Sequence, residues 1–171
     1  MPAHKVFLFG LDSAGKSTLA HFIKEEQVKN DTTPTLTFSI DQLIIKDIEF
    51  ILWDAPGQVL YRKRWARGVL DAKILIFLLD TSDEARFQEA RNELDNVLKN
   101  YDTRGIPLII CFHKMDLEHS HQNFEKASLS LKLSSIEERK IYFLKTSVHD
   151  PASINELKNI LINIIEKERW G

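Results

Sequence analysis

The chain has 171 residues, 43% of them hydrophobic, with 23 basic and 25 acidic side chains and a formal net charge of −2. A chain of this length is most simply a single domain, residues 1–171, which buries a core without disulfides. The near-neutral charge does not favour non-specific nucleic-acid binding, and we expect no nucleic-acid partner. The lone cysteine, Cys111, excludes an intrachain disulfide and fits a reducing, cytoplasmic compartment.

No membrane anchor or lipidation motif is recognisable in the sequence. No apolar run approaches the ~18 residues that a membrane-spanning helix needs, and no secretory signal is present. Pro2 stands where N-myristoylation requires glycine, and residues 168–171 lack a cysteine for prenylation. We therefore expect a cytoplasmic chain that reaches membranes only through partners.

The first motif lies between a predicted strand, 4–9, and a predicted helix, 16–29. It reads Gly-Leu-Asp-Ser-Ala-Gly-Lys-Ser-Thr, a G-x-x-x-x-G-K-[ST] phosphate-binding loop in the context that this motif requires. Backbone N–H groups of such a loop surround phosphate oxygens at the positive end of the helix. Lys16 would reach the outer phosphates, and the Ser17 hydroxyl would bind Mg²⁺. The predicted nucleotide contacts are Asp12, Ser13, Ala14, Gly15, Lys16, Ser17 and Thr18.

Strand and helix patterns alternate along the rest of the chain. Hydrophobic periodicity predicts strands at 36–45, 48–54, 73–79, 106–112 and 140–145, and helices at 60–70, 83–100, 121–133 and 151–168. The strands on either side of Lys46–Asp47 form a predicted hairpin. This order predicts an α/β fold with a six-stranded, mostly parallel sheet, one antiparallel strand and helices on both faces.

Residues 31–38 form a segment that could sense a terminal phosphate. Pro34 restricts Thr33 to extended conformations. The hydroxyl of Thr35 could bind Mg²⁺ only while a γ-phosphate holds the segment in place, and Thr32 and Thr33 are alternatives. Ordering of this kind is typical of nucleotide-controlled loops.

A second such segment follows the strand 48–54. Asp54 ends that strand and suits a Mg²⁺ contact through water. Gly57 allows its backbone N–H to approach a γ-phosphate, and Gln58 could orient an attacking water. An ordinary Pro-Gly turn is the alternative, and the position after a phosphate loop and a hairpin favours the functional interpretation.

Residues 113–116, which follow the strand 106–112, read His-Lys-Met-Asp. The ionised carboxylate of Asp116 only accepts hydrogen bonds, which matches the two donors on one edge of guanine. The stem of Lys114 could cover the base. After the next strand, a backbone N–H of Ser147 or Val148 could donate to the guanine carbonyl. All these segments follow the carboxyl ends of strands, where ligands bind in open α/β sheets.

In this order, the motifs resemble a small GTPase of the Ras superfamily, and most of all its Arf/Sar branch. The resemblance implies a three-layer P-loop GTPase (G domain) fold that binds GTP or GDP with Mg²⁺. It also implies slow hydrolysis by Lys16 and Gln58, an exchange factor, an activating protein that supplies an arginine finger, and effector proteins. The residues that carry it are 10–18, Thr33-Pro34-Thr35, Trp53-Asp54, Gly57-Gln58, Arg62, Trp65 and the run 80–94.

Three features depart from the Arf pattern. His113 stands where asparagine is usual, and the resulting His-Lys-Met-Asp resembles the Rag GTPases. Pro56 replaces a glycine. The nine residues before Gly10 leave no room for the amphipathic helix of Arf proteins. These departures keep open an alternative, a GTP-binding scaffold or a Rag-like subunit of a GTPase dimer with little hydrolysis.

Trp65 has two possible roles. It lies seven residues beyond Gln58, in the segment that would respond to the nucleotide. It could become an exposed contact for a partner protein, since tryptophan is frequent among residues that dominate binding energy. Packing in the core is the equally acceptable alternative.

Overall fold

The computed structural model describes residues 2–25 and 37–170. Among these residues, six strands alternate with five α-helices and three short 3₁₀ helices. No helix within these two ranges is long and apolar enough to cross a membrane. The strands are β1 (His4–Phe9), β2 (Ser39–Ile45), β3 (Ile48–Asp54), β4 (Ile74–Asp80), β5 (Leu108–His113) and β6 (Ile141–Lys145); the α-helices are α1 (Lys16–Glu25), α2 (Trp65–Val69), α3 (Phe87–Asn100), α4 (Glu118–Ser130) and α5 (Pro151–Trp170); the 3₁₀ helices are Val59–Arg64, Glu84–Arg86 and Leu133–Ser135.

The strands form one sheet in the order β2-β3-β1-β4-β5-β6. Every pairing is parallel except that of β2 with β3, in which Ile45 lies opposite Ile48. Lys46 and Asp47 have φ values of 47° and 65°, the left-handed pair that a tight two-residue hairpin turn requires. The predicted mostly parallel sheet with one antiparallel strand is therefore confirmed.

Alternate residues of the central strand β1 enter two different cores, one on each face of the sheet. Val6 and Leu8 pack with residues of α1 and α5. Phe7 and Phe9 pack with residues of α2, α3 and α4. Because successive side chains of a strand point to opposite faces, this one strand joins both helical layers. The result is the three-layer α/β arrangement that the sequence predicts.

Four predicted helices differ from the structure in their bounds. The predicted helix 83–100 begins as the 3₁₀ turn Glu84–Arg86 and becomes α3 at Phe87, and the predicted helix 151–168 extends to Trp170 in α5. Helix α4 begins and ends three residues earlier than predicted, because the Ser120 hydroxyl donates to the Lys114 carbonyl at its start and Lys132 adopts a left-handed conformation after its end. The predicted helix 60–70 begins as a 3₁₀ turn and becomes α-helical only at Trp65. The predicted end of helix 16–29 and the start of strand 36–45 lie partly outside the described residues.

Gly10 lets the end of β1 pass close to β4. A Cβ atom at this position would lie 2.4 Å from the Leu78 carbonyl oxygen, and its φ of 156° is one that other residues rarely adopt. We expect Gly10→Ala to lower the free energy of unfolding by about 1–3 kcal/mol, because the backbone of β4 must shift. Urea denaturation would measure this loss.

Gly105→Ala is the matched control. Gly105 also has a positive φ, 75°, but a Cβ atom there would meet no atom within 4 Å. The control therefore isolates the cost of backbone conformation from that of the clash. Equal losses of stability in the two variants would contradict the close approach of β1 to β4.

Candidate functional site

The phosphate loop, residues 10–18, joins the carboxyl end of β1 to α1. Ser13 and Gly15 have φ values of 60° and 104°, and these left-handed residues turn the chain back on itself. The Leu19 N–H donates to the Gly15 carbonyl at 2.8 Å, which starts α1 inside the motif. The loop thus places the amino end of a ten-residue helix at the carboxyl edge of the sheet, and Asp12, Ser13, Ala14, Gly15, Lys16, Ser17 and Thr18 all lie there.

The Lys16 side chain is buried, with 6% of its surface exposed. Its ammonium donates to the Leu11 carbonyl at 2.7 Å and so lies within the loop. Burial lowers the pKa of Lys16 to about 8, although the nearby Asp54 and Asp12 carboxylates act in the opposite direction. Anionic oxygens in contact with a buried ammonium group of this kind strongly stabilise its charged form.

Ser17 and Asp54 meet between the phosphate loop and the end of β3. The Ser17 hydroxyl donates to Asp54 Oδ2 at 2.7 Å, and Asp54 is almost fully buried. A hydroxyl and a carboxylate are hard oxygen ligands, the donor set that suits Mg²⁺ when phosphates and water complete it. Within residues 2–25 and 37–170, no group of three or more His, Cys, Asp or Glu could hold a metal on its own. Thr35, the third predicted ligand, lies outside the described residues.

Gly57 packs directly against the phosphate loop. The Asp12 N–H donates to the Gly57 carbonyl at 3.1 Å. A Cβ atom on Gly57 would lie 2.4 Å from Lys16 Nζ and 2.6 Å from the Asp12 nitrogen, so only glycine fits. Gln58 follows in an extended conformation, with φ −66° and ψ 140°, and precedes the 3₁₀ turn. The structure therefore brings Gly57 to the loop and places Gln58 next to it in the chain.

Two arginines connect the phosphate loop to α3, and one of them, Arg62, also binds the Gly57 carbonyl. Arg62 is 5% exposed, and its guanidinium contacts Glu89 at 2.9 Å, Glu93 at 3.2 Å and Asp12 at 3.3 Å. Arg86 contacts the same carboxylates of Asp12 and Glu89, at 2.7 and 2.9 Å, and holds the pKa of both below their usual values. Apart from Asp12, which belongs to the phosphate-loop motif, these residues entered the sequence analysis only through the family resemblance. Their pairing depends on tertiary structure.

The predicted base-binding residues also come together. Lys114, with a φ of 61°, donates from its ammonium to the Ser13 carbonyl at 2.8 Å and to Asp80 Oδ2 at 2.7 Å. Asp116 is exposed and accepts a hydrogen bond of 2.7 Å from the Ser147 hydroxyl. The sequence analysis included Asp80 only in the run that carries the family resemblance and gave it no role in the site, although a carboxylate at the end of β4 fits the same strand-end pattern.

The backbone of residues 146–148 carries the last predicted contacts. The Ser147 N–H donates to the Ser153 hydroxyl at 3.1 Å, so it is already engaged within the chain. The Thr146 N–H likewise donates to the Phe112 carbonyl at 2.9 Å. Of the two candidates for the guanine carbonyl, Val148 is therefore the better one.

His113 links the base-binding strand ends to the phosphate loop. Its ring is 2% exposed, and Nδ1 shares a 2.8 Å hydrogen bond with the Thr146 hydroxyl. The opposite edge of the ring faces Gly15, where an added Cβ atom would lie 2.9 Å from Cδ2. Burial, assisted by the Lys114 charge, lowers the pKa of His113 to about 4. The ring is therefore a neutral packing and hydrogen-bonding element at physiological pH.

Comparison with known proteins identifies one family. The family model described as the ADP-ribosylation factor family matches residues 2–165. ADP-ribosylation factor K of Dictyostelium discoideum is 33% identical over 138 residues, which cover 81% of this chain and 72% of the relative. ADP-ribosylation factor-like protein 8d of Arabidopsis thaliana is 28% identical over 156 residues, which cover 91% of this chain and 88% of that relative.

A solved structure has the same fold. The Arl6 (BBS3) small GTPase of Trypanosoma brucei, solved with the nucleotide analogue GppNp, superimposes with a TM-score of 0.81 at 19% identity. The match covers 97% of this chain and 99% of that one. At this identity the likeness concerns the fold alone, and it supports the P-loop GTPase architecture.

The neutral His113 makes stability depend on pH. Its pKa is about 4 in the folded chain against 6.5 for the free side chain, so between these values the unfolded chain binds a proton that the folded chain does not. The His113 contribution is thus fully present above pH 6.5 and is lost progressively down to pH 4, by about 3 kcal/mol in total. Denaturant unfolding at a series of pH values should show this loss.

His113→Asn should remove that part of the pH dependence, since asparagine does not titrate. His119→Asn is the matched control, because His119 is exposed on α4. The difference between each variant and the parent chain cancels the contribution of the carboxylates. Identical pH profiles for the parent and His113→Asn would show that the ring is not held neutral.

Proposed function

The chain belongs to the ADP-ribosylation factor family of GTPases, and from this membership we propose that it is a molecular switch that binds Mg²⁺·GTP on the phosphate loop. As a member of the family it binds guanine nucleotide and hydrolyses GTP. The observation that carries the proposal is the convergence of two strand ends on one loop: after β3, Gly57 contacts Asp12, and at the end of β5, Lys114 contacts Ser13 and His113 packs against Gly15.

The phosphates would bind at the amino end of α1. Backbone N–H groups of the loop and the Lys16 ammonium would face the phosphoryl oxygens and stabilise charge that develops during transfer. Ser17 and Thr35 would hold Mg²⁺ directly and Asp54 through water, and the ion would neutralise part of the phosphate charge. The 2.7 Å contact of Ser17 with Asp54 supports this assignment, because it gathers two of the oxygen donors.

The base would bind between the ends of β5 and β6. Asp116 would accept from the two donors of guanine, and the stem of Lys114 would lie along the ring. The Val148 N–H would donate to the guanine carbonyl. His113 would support the base site from beneath, since its ring joins Thr146 to the phosphate loop. The motif His-Lys-Met-Asp differs from the Arf pattern and resembles the Rag GTPases at His113. In this proposal His113 supports the base site and does not itself contact the base.

Hydrolysis would rest on Gln58, which would orient the attacking water. An activating protein would supply an arginine finger and raise the rate by ~10³–10⁵. An exchange factor would release GDP, and effector proteins would bind the GTP state. We place this cycle in the cytoplasm, with membrane contact made through partners.

The first test is the identity of the nucleotide. We expect the purified chain to carry GDP or GTP, and excess ATP not to displace it. Asp116→Asn should weaken guanine nucleotide binding about ten- to a hundredfold, because the amide cannot accept from both guanine donors. Asp102→Asn, which changes an exposed aspartate in another loop, is the control. Displacement by ATP at concentrations similar to GTP would instead indicate a P-loop kinase.

The second test concerns Gln58. Gln58→Leu should leave GTP affinity nearly unchanged and almost abolish hydrolysis stimulated by cell extract, because leucine cannot hold the water. Gln88→Leu makes the same chemical change at an exposed position of α3 and should change neither GTP affinity nor stimulated hydrolysis. Single-turnover hydrolysis of radiolabelled GTP, with and without extract, would measure both variants.

The same measurement separates the switch from the alternative. A parent chain that binds GTP tightly but whose turnover no extract stimulates would favour a GTP-binding scaffold or a Rag-like subunit of a GTPase dimer. Pro56 and His113 motivate that alternative, because both stand where the family pattern has other residues. Unchanged stimulated turnover in Gln58→Leu would contradict the role of Gln58.

A further inference from the structure

Two consecutive backbone carbonyls just before Gln58 are each held by a buried side chain from the segment that follows it. The Trp65 indole N–H donates to the Pro56 carbonyl at 2.7 Å. The Arg62 Nε–H donates to the Gly57 carbonyl at 2.8 Å. Trp65 is fully buried and Arg62 is 5% exposed. We call these two residues the carbonyl clamp.

The carbonyl clamp fixes more than the carbonyls themselves. A peptide group is planar, and in the trans form its C=O and N–H point in opposite directions. No cis peptide occurs in the described parts of the chain. Trp65, by holding the Pro56 carbonyl, therefore sets the direction of the Gly57 N–H. Arg62, by holding the Gly57 carbonyl, sets that of the Gln58 N–H.

The Trp65 ring is itself fixed by packing. It makes an edge-to-face contact with Phe9 of β1, with ring centroids 5.6 Å apart. Gly68 lets this short helix approach the sheet, because a Cβ atom there would lie 2.5 Å from the Phe38 ring and 2.7 Å from that of Phe7. The indole N–H thus comes from a ring anchored on the central strand.

The Arg62 guanidinium is fixed by charge. Glu89 and Glu93 hold it from α3, and Asp12 holds it from the phosphate loop. Arg86 bridges Asp12 and Glu89 and so keeps both carboxylates in place. A buried guanidinium needs such partners, and its planar fork of donors is rigid once they are satisfied. Arg62 thereby connects the Gly57 carbonyl to two elements of the fold.

The held peptide groups lie beside the proposed phosphate site. The position of a Gly57 Cβ would be 2.4 Å from Lys16 Nζ, so the Gly57 backbone is adjacent to the cation that would contact the outer phosphates. From this geometry, and on the premise of the proposed function, we propose that Trp65 and Arg62 are positioning residues for the terminal phosphate of GTP. Trp65 orients the Gly57 N–H toward that phosphate, and Arg62 fixes the next peptide group, which keeps Gly57 beside Lys16.

A structural role alone predicts a different result. Residues that only stabilise the fold would affect GDP and GTP binding equally, since both nucleotides use the same loop and base site. The terminal phosphate is present only in GTP. Loss of the carbonyl clamp should therefore weaken binding of a GTP analogue selectively, and the ratio of the two affinities is the quantity to measure.

The experiment compares conservative variants of the full chain. Trp65→Phe keeps an aromatic ring but removes the indole N–H, and Arg62→Gln removes the charge and the fork. We expect each to weaken a fluorescent, non-hydrolysable GTP analogue about 5- to 30-fold, the range set by one or two buried hydrogen bonds, and GDP by less than about threefold. The affinity of Arg62→Lys for the GTP analogue should lie between those of Arg62→Gln and the parent, because lysine keeps the charge.

Matched controls make the same changes elsewhere. Trp53→Phe alters an indole that lies under the Lys5 ammonium, and Arg67→Gln alters an exposed arginine two residues after Trp65. Both should bind the two nucleotides within about twofold of the parent. Thermal denaturation of every variant reports stability separately, and if Trp65→Phe does not fold, the two Arg62 variants carry the same test.

The outcomes separate this inference from the proposed function. A parent chain that binds both nucleotides, with clamp variants that weaken both equally, would overturn the carbonyl clamp and leave the proposed function standing. A parent chain that binds neither nucleotide would overturn the proposed function and the clamp with it. A selective loss of the GTP analogue would support both.

Discussion

Positive charge buried at the carboxyl edge of the sheet is the constraint on which the rest of the site depends. Lys16 and Arg62 are both nearly inaccessible to water, and a buried cation without anionic or carbonyl partners is very unfavourable. The chain meets this requirement by bringing Asp12, Asp54 and the carboxylates of α3 to one place. The phosphate loop, the end of β3 and α3 are thus held together by the need to satisfy two cations.

The strands and the mostly parallel character of the sheet could be predicted from the sequence, whereas the strand order and the register came from the structure. Apolar runs marked most strands, alternation of apolar and polar residues marked β2, and the left-handed pair Lys46–Asp47 matched the predicted hairpin. The bounds of α4 were harder to predict. The helix ends before Lys132, which adopts a left-handed conformation that nothing in the local sequence indicates. Local patterns encode periodicity well and the stopping points of helices poorly.

The site shows the same division. The motifs named Lys16, Gly57, Gln58 and Asp116 because each type of residue has chemistry that a nucleotide needs. They did not reveal that Arg62 would bond to the Gly57 carbonyl, since that contact requires α3 and the 3₁₀ turn to be in place. From the sequence, Trp65 could be either an exposed contact for a partner protein or a residue of the core. The structure places it in the core, where its N–H still acts on the site.

The strand order has a consequence for how a nucleotide cycle could run in this fold. With β1 and β4 at the centre, the segment that would read the terminal phosphate follows β3 on one flank, and the residues that would read the base follow β5 and β6 on the other. Within residues 2–25 and 37–170, the antiparallel strand β2 pairs only with β3. In the proposed arrangement, the side of the sheet with β2 and β3 can therefore rearrange when the terminal phosphate is lost, while the side with β5 and β6 remains bound to the base. In the proposed arrangement, phosphate sensing and base binding thus lie on opposite sides of the phosphate loop, which follows the central strand β1.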